Sequence, residues 1–202
     1  MKNQYHYIID KSGSMSDCQK TTVECINEQF VTLYKLAAEH KNQEFRASLH
    51  FFNDNLSTMI NQQTPLNLPK LKLSDFSPNG GTALYDAIGT IASAERLNSS
   101  QSVINGSKKV VFVIITDGHE NRSLLYNSEN IRKLILEMQM EGYIFMFLGA
   151  IQNAKNVATR INIKEEHAHS FNKKEMNTIF KKMGSSLTGL AKNETDWNKF
   201  DN

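Results

Sequence analysis

Residues 110–118 of the chain read Val-Val-Phe-Val-Ile-Ile-Thr-Asp-Gly. The first six of these residues are β-branched or aromatic and show no polar alternation. This pattern is typical of a central parallel strand that is covered on both faces. Asp117 and Gly118 end the run with turn chemistry. The stretch therefore predicts a buried strand whose carboxyl end carries an aspartate.

Apolar strands and amphipathic helices alternate on both sides of this stretch. Further strand patterns lie at residues 5–9, 45–52, 56–60, 143–148 and 167–171. The second and third of these are joined by Asn53-Asp54-Asn55, which predicts a hairpin at a sheet edge. The order predicts an α/β fold with a doubly wound, mostly parallel central sheet, one antiparallel edge strand and helices on both faces. Residues 98–107 are predicted to be a polar connection between a helix and the central strand.

The composition predicts one domain. The chain has 202 residues, of which 40% are hydrophobic and 22% are charged, which is enough for one well-buried core. We assign residues 1–190 to this domain. Residues 191–202 are mostly polar and are predicted to form a C-terminal tail.

The charge balance and the N-terminal sequence limit the classes of partner. The 23 Lys and Arg residues against 21 Asp and Glu give a net charge of +2, which does not predict binding to nucleic acid or to an anionic membrane. The N-terminus enters a strand without the apolar region of a signal peptide, and no apolar run approaches the roughly 18 residues of a membrane span. A cytoplasmic protein is therefore predicted.

Polar oxygen donors occur in three segments that end strands or begin helices. The candidate ligands are Asp10, Ser12, Ser14, Thr82 and Asp117. If the first strand neighbours the central one, their carboxyl ends share one crevice of the sheet. Hard oxygen donors without Cys or His favour Mg²⁺, with Mn²⁺ as a substitute. Because three of the donors are neutral hydroxyls, such an ion keeps much of its charge and attracts a further carboxylate.

These segments resemble the metal-ion-dependent adhesion site (MIDAS) of von Willebrand factor A (vWA) domains. The resemblance rests on Asp-x-Ser-Gly-Ser at 10–14, Gly-Gly-Thr-Ala-Leu-Tyr-Asp-Ala at 80–87 and Ile-Thr-Asp-Gly at 115–118. It covers roughly residues 5–183. The resemblance implies that the three hydroxyls coordinate the metal directly and that the two aspartates act mostly through bound waters. It also implies that a partner's Asp or Glu takes the sixth position.

Within this family, residues 114–121 and 147–150 are similar to small standalone bacterial domains. Some of these relatives accompany tellurite-resistance or stress-response operons, and others act beside AAA+ ATPases. The resemblance therefore implies a Mg²⁺-dependent protein-binding module that is not an enzyme. It further implies that the partner is an AAA+ ATPase or a stress-operon protein.

Two other functions stay open at this point. Doubly wound sheets with an aspartate after the first strand also host metal-assisted phosphohydrolases, although such enzymes carry a second acidic residue where this chain has Ser12. Alternatively, the loop at residues 61–79, which holds all three prolines, covers a regulatory metal site until a partner arrives.

Other polar residues are predicted not to bind the metal. Asp86 is predicted to be structural, and His119 with Glu120 to form a solvent-exposed loop pair. The pairs Lys173-Lys174 and Lys181-Lys182 are predicted to lie on the solvated face of the last helix.

Overall fold

The centre of the fold is a six-stranded sheet, seen in a computed structural model that describes residues 1–151 and 153–194. Its strands are β1 (Lys2–Asp10), β2 (Glu44–Phe52), β3 (Leu56–Gln63), β4 (Lys108–Thr116), β5 (Ile144–Gly149) and β6 (Ala168–Ser170). Their spatial order is β3-β2-β1-β4-β5-β6, and only the pair of β2 with β3 is antiparallel. The predicted doubly wound sheet with one antiparallel edge strand is confirmed.

Helices cover both faces of this sheet. They are α1 (Gln19–Glu39), α2 (Leu84–Ile104), α3 (Ser128–Glu141), α4 (Ala154–Arg160) and α5 (Met176–Ala191). The first residue of the predicted tail at 191–202 is thus the last residue of α5, and residues 195–202 lie outside the described part of the chain. None of the described helices is long and apolar enough to cross a membrane.

Strand β4 divides its side chains between two cores, which explains its unbroken apolar sequence. Val111, Val113 and Ile115 belong to the core that includes residues of α1 and α5. Phe112 and Ile114 belong to the core on the other face, with residues of α2, α3 and α4. Because both faces of the strand are buried, neither set of alternate positions can be polar.

The direction of strand order changes between β1 and β4. From β1 the chain passes to β2 on one side, and it later returns to place β4 on the other side. Ile9 of β1 lies opposite Ile115 of β4 in the parallel register. The carboxyl ends of these two strands are therefore neighbours, and the crevice beyond them is where open α/β sheets bind their ligands.

Helix α2 is longer than predicted, since residues 98–104 are helical rather than a polar connection. The error came from reading Ser and Asn as loop residues. Ser99 is only 3% exposed, and its hydroxyl lies 3.0 Å from that of Tyr143. Val103, one turn later, is also buried. One face of this polar segment is thus held against the core, and tertiary contacts outweigh the low helix propensity of its residues.

A chain of polar groups is buried between the sheet and α2. His6 Nδ1 lies 3.1 Å from His50 Nε2, and His6 Nε2 lies 3.2 Å from Glu95 Oε2. The other carboxylate oxygen of Glu95 pairs with Lys108 Nζ at 2.5 Å. Burial acts to raise the pKa of Glu95, but hydrogen bonds from His6 and Lys108 outweigh it and lower the pKa to about 2. Glu95 is therefore a buried carboxylate that stays ionised.

Candidate metal site

The loops after β1 and β4 bring predicted site residues into direct contact. Asp10 is the last residue of β1, and Asp117 follows the last residue of β4. The Ser14 hydroxyl donates a hydrogen bond to Asp117 Oδ1 at 2.6 Å. The two loops are thus joined through side chains that the sequence identified as candidate ligands.

Asp10 is fully buried and organises the first loop. Its Oδ1 atom accepts a 2.7 Å hydrogen bond from the backbone N–H of Ser12, and its Oδ2 atom accepts a 2.5 Å bond from the Thr116 hydroxyl. Burial raises the pKa of Asp10, although both hydrogen bonds act to lower it. A cation at this place would stabilise the ionised form.

The Ser12 and Ser14 hydroxyls lie together in the loop after β1. Their oxygens are 3.1 Å apart. Ser12 is buried, whereas Ser14 is exposed. Because Ser14 uses its only hydroxyl hydrogen in the bond to Asp117, the Ser12 hydroxyl is the donor in their 3.1 Å contact, and one lone pair of Ser14 remains available to a cation.

Thr82 reaches the same place from the loop before α2. A Cβ atom built on Gly118 would lie 2.9 Å from Thr82 Oγ1 and 3.5 Å from Asp10 Oδ2. The Thr82 hydroxyl and the Asp10 carboxylate therefore border one small space, which Gly118 leaves open. Asn121 fixes Thr82 there, since its Oδ1 atom accepts from the Thr82 N–H at 2.9 Å and its N–H donates to the Thr82 carbonyl at 3.0 Å.

We expect Gly118→Ala to weaken the binding of a divalent cation at least tenfold, or about 1.4 kcal/mol. The added methyl group would crowd the Thr82 hydroxyl, while the backbone of Gly118 is not in the left-handed region and tolerates alanine. Isothermal titration with MgCl₂ measures the affinity, and circular dichroism checks that the fold is retained. Unchanged affinity in a folded variant would mean that this space does not receive the ion.

The Asn79–Thr82 loop is held by backbone and amide contacts that the sequence pattern did not predict. Gly13 N–H donates to the Gly80 carbonyl at 3.1 Å, and Asn53 Nδ2 donates to the Asn79 carbonyl at 3.0 Å. Gly80 has a φ of 73°, and a Cβ there would collide with Asp54. The glycine is required because the loop turns in the left-handed region against a neighbouring side chain.

Asp86 has the predicted structural role. Its carboxylate accepts hydrogen bonds from the backbone N–H groups of Leu124, Leu125 and Tyr126. Glu120 was wrongly predicted to be a solvent-exposed partner of His119. Its carboxylate instead accepts hydrogen bonds from the loop that follows it and from the first turn of α2; the donors are Arg122 N–H, Ser123 N–H, Ser123 Oγ and Tyr85 N–H. These two acidic residues shape the loop after β4.

Lys173 reaches the site from the connection between β6 and α5. Its Nζ atom lies 2.5 Å from Asp117 Oδ2, in an ion pair whose angles are not those of a hydrogen bond. The same ammonium donates to the Ser14 carbonyl and to Asp17 Oδ1, both at 2.7 Å. The prediction that Lys173 lies on a solvated helix face was therefore wrong. Burial lowers the pKa of Lys173, but the contacts with Asp117 and Asp17 outweigh it and raise the pKa overall.

The sequence itself matches a family model, that of the von Willebrand factor type A domain, over residues 7–183. The chain belongs to this family. No curated protein sequence matches it significantly.

Several solved structures share the fold of this vWA domain. Proximal thread matrix protein 1 from the mussel byssus, in a structure described as having a zinc-occupied MIDAS motif, is 19% identical with a TM-score of 0.65; the match covers 92% of this chain and 48% of that one. The vWF domain of the type V pili tip protein Mfa5 from Porphyromonas gingivalis is 9% identical with a TM-score of 0.65, over 92% and 94%. The minor pilin PilB from Streptococcus sanguinis is 14% identical with a TM-score of 0.62, over 93% and 61%.

These matches extend over most of the vWA domain described here. The chain nevertheless spans only about half the length of the mussel byssus chains. At identities below 20%, the likeness shows the fold.

The donors in this vWA domain fit a hard divalent cation. Two carboxylates and three hydroxyls meet at one edge of the sheet, and the buried Oδ2 atom of Asp117 receives no hydrogen bond from the described residues, its nearest cation being the Lys173 ammonium. Oxygen donors of this kind suit Mg²⁺ or Mn²⁺. The fit of the site to a divalent cation therefore rests on the oxygen donors that the loops bring together.

Proposed function

We propose that this vWA domain binds a partner protein through a divalent cation, Mg²⁺ or in its place Mn²⁺. The ion is held by Asp10, Ser12, Ser14, Thr82 and Asp117. The observation that carries the proposal is the contact between the two loops, in which Ser14 lies 3.1 Å from the Ser12 hydroxyl and 2.6 Å from Asp117. When bound, the cation supplies a positive centre that attracts a carboxylate of the partner.

The charge of the donor set favours binding of a further carboxylate. Three of the five donors are neutral hydroxyls, and one of the two carboxylates, Asp117, already has the Lys173 ammonium 2.5 Å away. The side chains therefore leave much of the charge of a divalent ion uncompensated. An Asp or Glu side chain of a partner is the chemical group that best completes such a site.

Two relatives support a role in binding rather than in catalysis. One is the mussel byssus protein whose MIDAS motif holds zinc, and the other is the vWF domain of a pilus tip protein. For this chain the hard oxygen donors favour Mg²⁺ over zinc. We propose that this chain also uses a bound metal for adhesion. The loops around the metal would determine which partner it binds.

The environment of Asp10 argues against a phosphohydrolase. A nucleophilic aspartate needs a carboxylate oxygen that is open to the substrate. Asp10 is fully buried, and its two oxygens accept hydrogen bonds from Ser12 and Thr116. Asp10 therefore suits a group that supplies negative charge to the ion and positions the metal loop, and we propose that the domain is not an enzyme.

The loop after β4, which begins with Asp117, also carries an exposed apolar surface for recognising the partner. Leu124 and Leu125 are 93% and 73% exposed, while Asp86 holds their backbone in place. We propose that the partner presents an acidic side chain to the ion and apolar side chains to these leucines. An AAA+ ATPase or a stress-operon protein of the cytoplasm is the kind of partner that we propose.

The test of this function is capture of proteins from a lysate of the source cells on the immobilised domain. Proteins retained in MgCl₂ are expected to be lost on addition of EDTA. They are also expected to be lost with Ser12→Ala, which removes a ligand hydroxyl. Ser185→Ala, on the exposed side of α5, is the matched control and should retain them. Equal capture in EDTA and by the Ser12 variant would contradict the proposed function.

A further inference from the structure

We propose that Lys173 is an internal cation of the metal site that lowers its affinity for Mg²⁺. This inference rests on the proposed function, because it concerns the same site. A lysine from the connection between β6 and α5 thus sets the affinity of the site for its metal.

The contacts of the Lys173 ammonium place it within the ligand loops. All three contacts are to groups around the predicted ligands: the Asp117 carboxylate at 2.5 Å, and the Ser14 carbonyl and the Asp17 carboxylate at 2.7 Å. Three oxygen atoms surround the ammonium: two accept its hydrogen bonds, and the third, Asp117 Oδ2, is its ion-pair partner. The arrangement resembles the solvation of a small cation.

The backbone around Lys173 holds the ammonium in this position. On one side, Phe171 N–H donates to the Gly149 carbonyl at the end of β5. On the other side, Met176 begins α5 and is fully buried. Between them, the Asn172 side chain accepts from the Lys174 N–H at 3.0 Å. The Lys173 side chain is only 25% exposed, so it is a resident part of the site.

The electrostatic consequence follows from the charge on Asp117. This side chain is 1% exposed, and water screens its interactions weakly. With Lys173 beside it, the carboxylate attracts a second cation less strongly, and the ammonium itself repels that cation. Removal of the positive charge should therefore strengthen metal binding, even though it also removes an ion pair.

Isothermal titration with MgCl₂ tests this role. Lys173→Met keeps the length of the aliphatic stem, and we expect its dissociation constant to be about tenfold lower than that of the unchanged protein, equivalent to about 1.4 kcal/mol. Lys173→Arg keeps the charge and should bind Mg²⁺ within about threefold of the unchanged protein. Lys174→Met, at the exposed neighbouring position, should leave the affinity unchanged.

The opposite result would show that Lys173 serves to hold the loops together. Equal or weaker Mg²⁺ binding by Lys173→Met would overturn the inference, and Lys173→Gln provides a second neutral variant if the first does not fold. The Ser12→Ala titration separates this outcome from failure of the proposed function. If the unchanged protein binds Mg²⁺ and Ser12→Ala does not, an unaltered Lys173→Met affinity defeats only the inference. If the unchanged protein binds no Mg²⁺, the proposed function and the inference about Lys173 are both wrong.

Discussion

Asp10→Asn is expected to reduce Mg²⁺ affinity at least 100-fold, or about 2.7 kcal/mol, while the protein remains folded. The substitution removes one of the two carboxylate charges of the site and changes the shape of the side chain very little. The carbonyl oxygen of the new side chain can still accept the hydrogen bond that the Ser12 N–H gives to Asp10 at 2.7 Å. Its amide group can donate to the Thr116 hydroxyl, which is able to turn and accept.

Titration calorimetry with MgCl₂ measures this loss, and thermal unfolding in EDTA reports whether the variant is folded. Asp75→Asn is the matched control, since Asp75 lies in the loop between β3 and α2 and accepts from the Lys72 N–H. The control should bind Mg²⁺ as the unchanged protein does. Retention of Mg²⁺ affinity within about threefold in the Asp10 variant would mean that the ion is bound elsewhere.

The sheet was predictable because its sequence signals are local. An unbroken apolar run at residues 110–115 can be buried on both faces only in a central strand, and it occupies the middle of β4. The prediction of a polar connection at 98–107 was wrong because it rested on local helix propensity, whereas tertiary contacts determine the structure of this segment. Ser99 and Val103 are held in the helix by the core beside Tyr143, which no local pattern encodes.

The meeting of the loops that carry the candidate ligands was also predictable, because each candidate lies at a strand end or before a helix; their binding of a metal stays a prediction. The residues that position the candidates were not predictable. Thr116 reads as the end of an apolar strand, although its hydroxyl holds Asp10. Asn121 reads as part of a polar loop, although it holds Thr82. Lys173 lies 159 residues after Ser14, and only the folded chain reveals that its ammonium reaches the site.

Glu95→Ala is expected to lower the free energy of unfolding by about 3 kcal/mol, because it removes one partner of a buried ion pair. The Glu95 side chain is 2% exposed and lies 3.2 Å from His6 and 2.5 Å from Lys108. Alanine would leave a buried imidazole and an ammonium without their acceptor and would also create a cavity. Urea unfolding at pH 7 measures the change. Glu137→Ala, which breaks the half-exposed pair with Arg96, should cost at most about 1 kcal/mol.

The pH dependence of Glu95→Gln distinguishes loss of the charge from loss of packing. The pKa of Glu95 is about 2 in the folded protein against 4.5 ordinarily, so its ionised form stabilises the fold above pH 4.5. That contribution is lost as the pH falls from 4.5 towards 2, where the folded protein also takes up the proton. His50, with a pKa of about 3 through burial, titrates in both proteins and largely cancels in the comparison. The advantage of the unchanged protein over Glu95→Gln should therefore shrink as the pH approaches 2, and a constant difference would show that Glu95 stabilises the fold by packing alone.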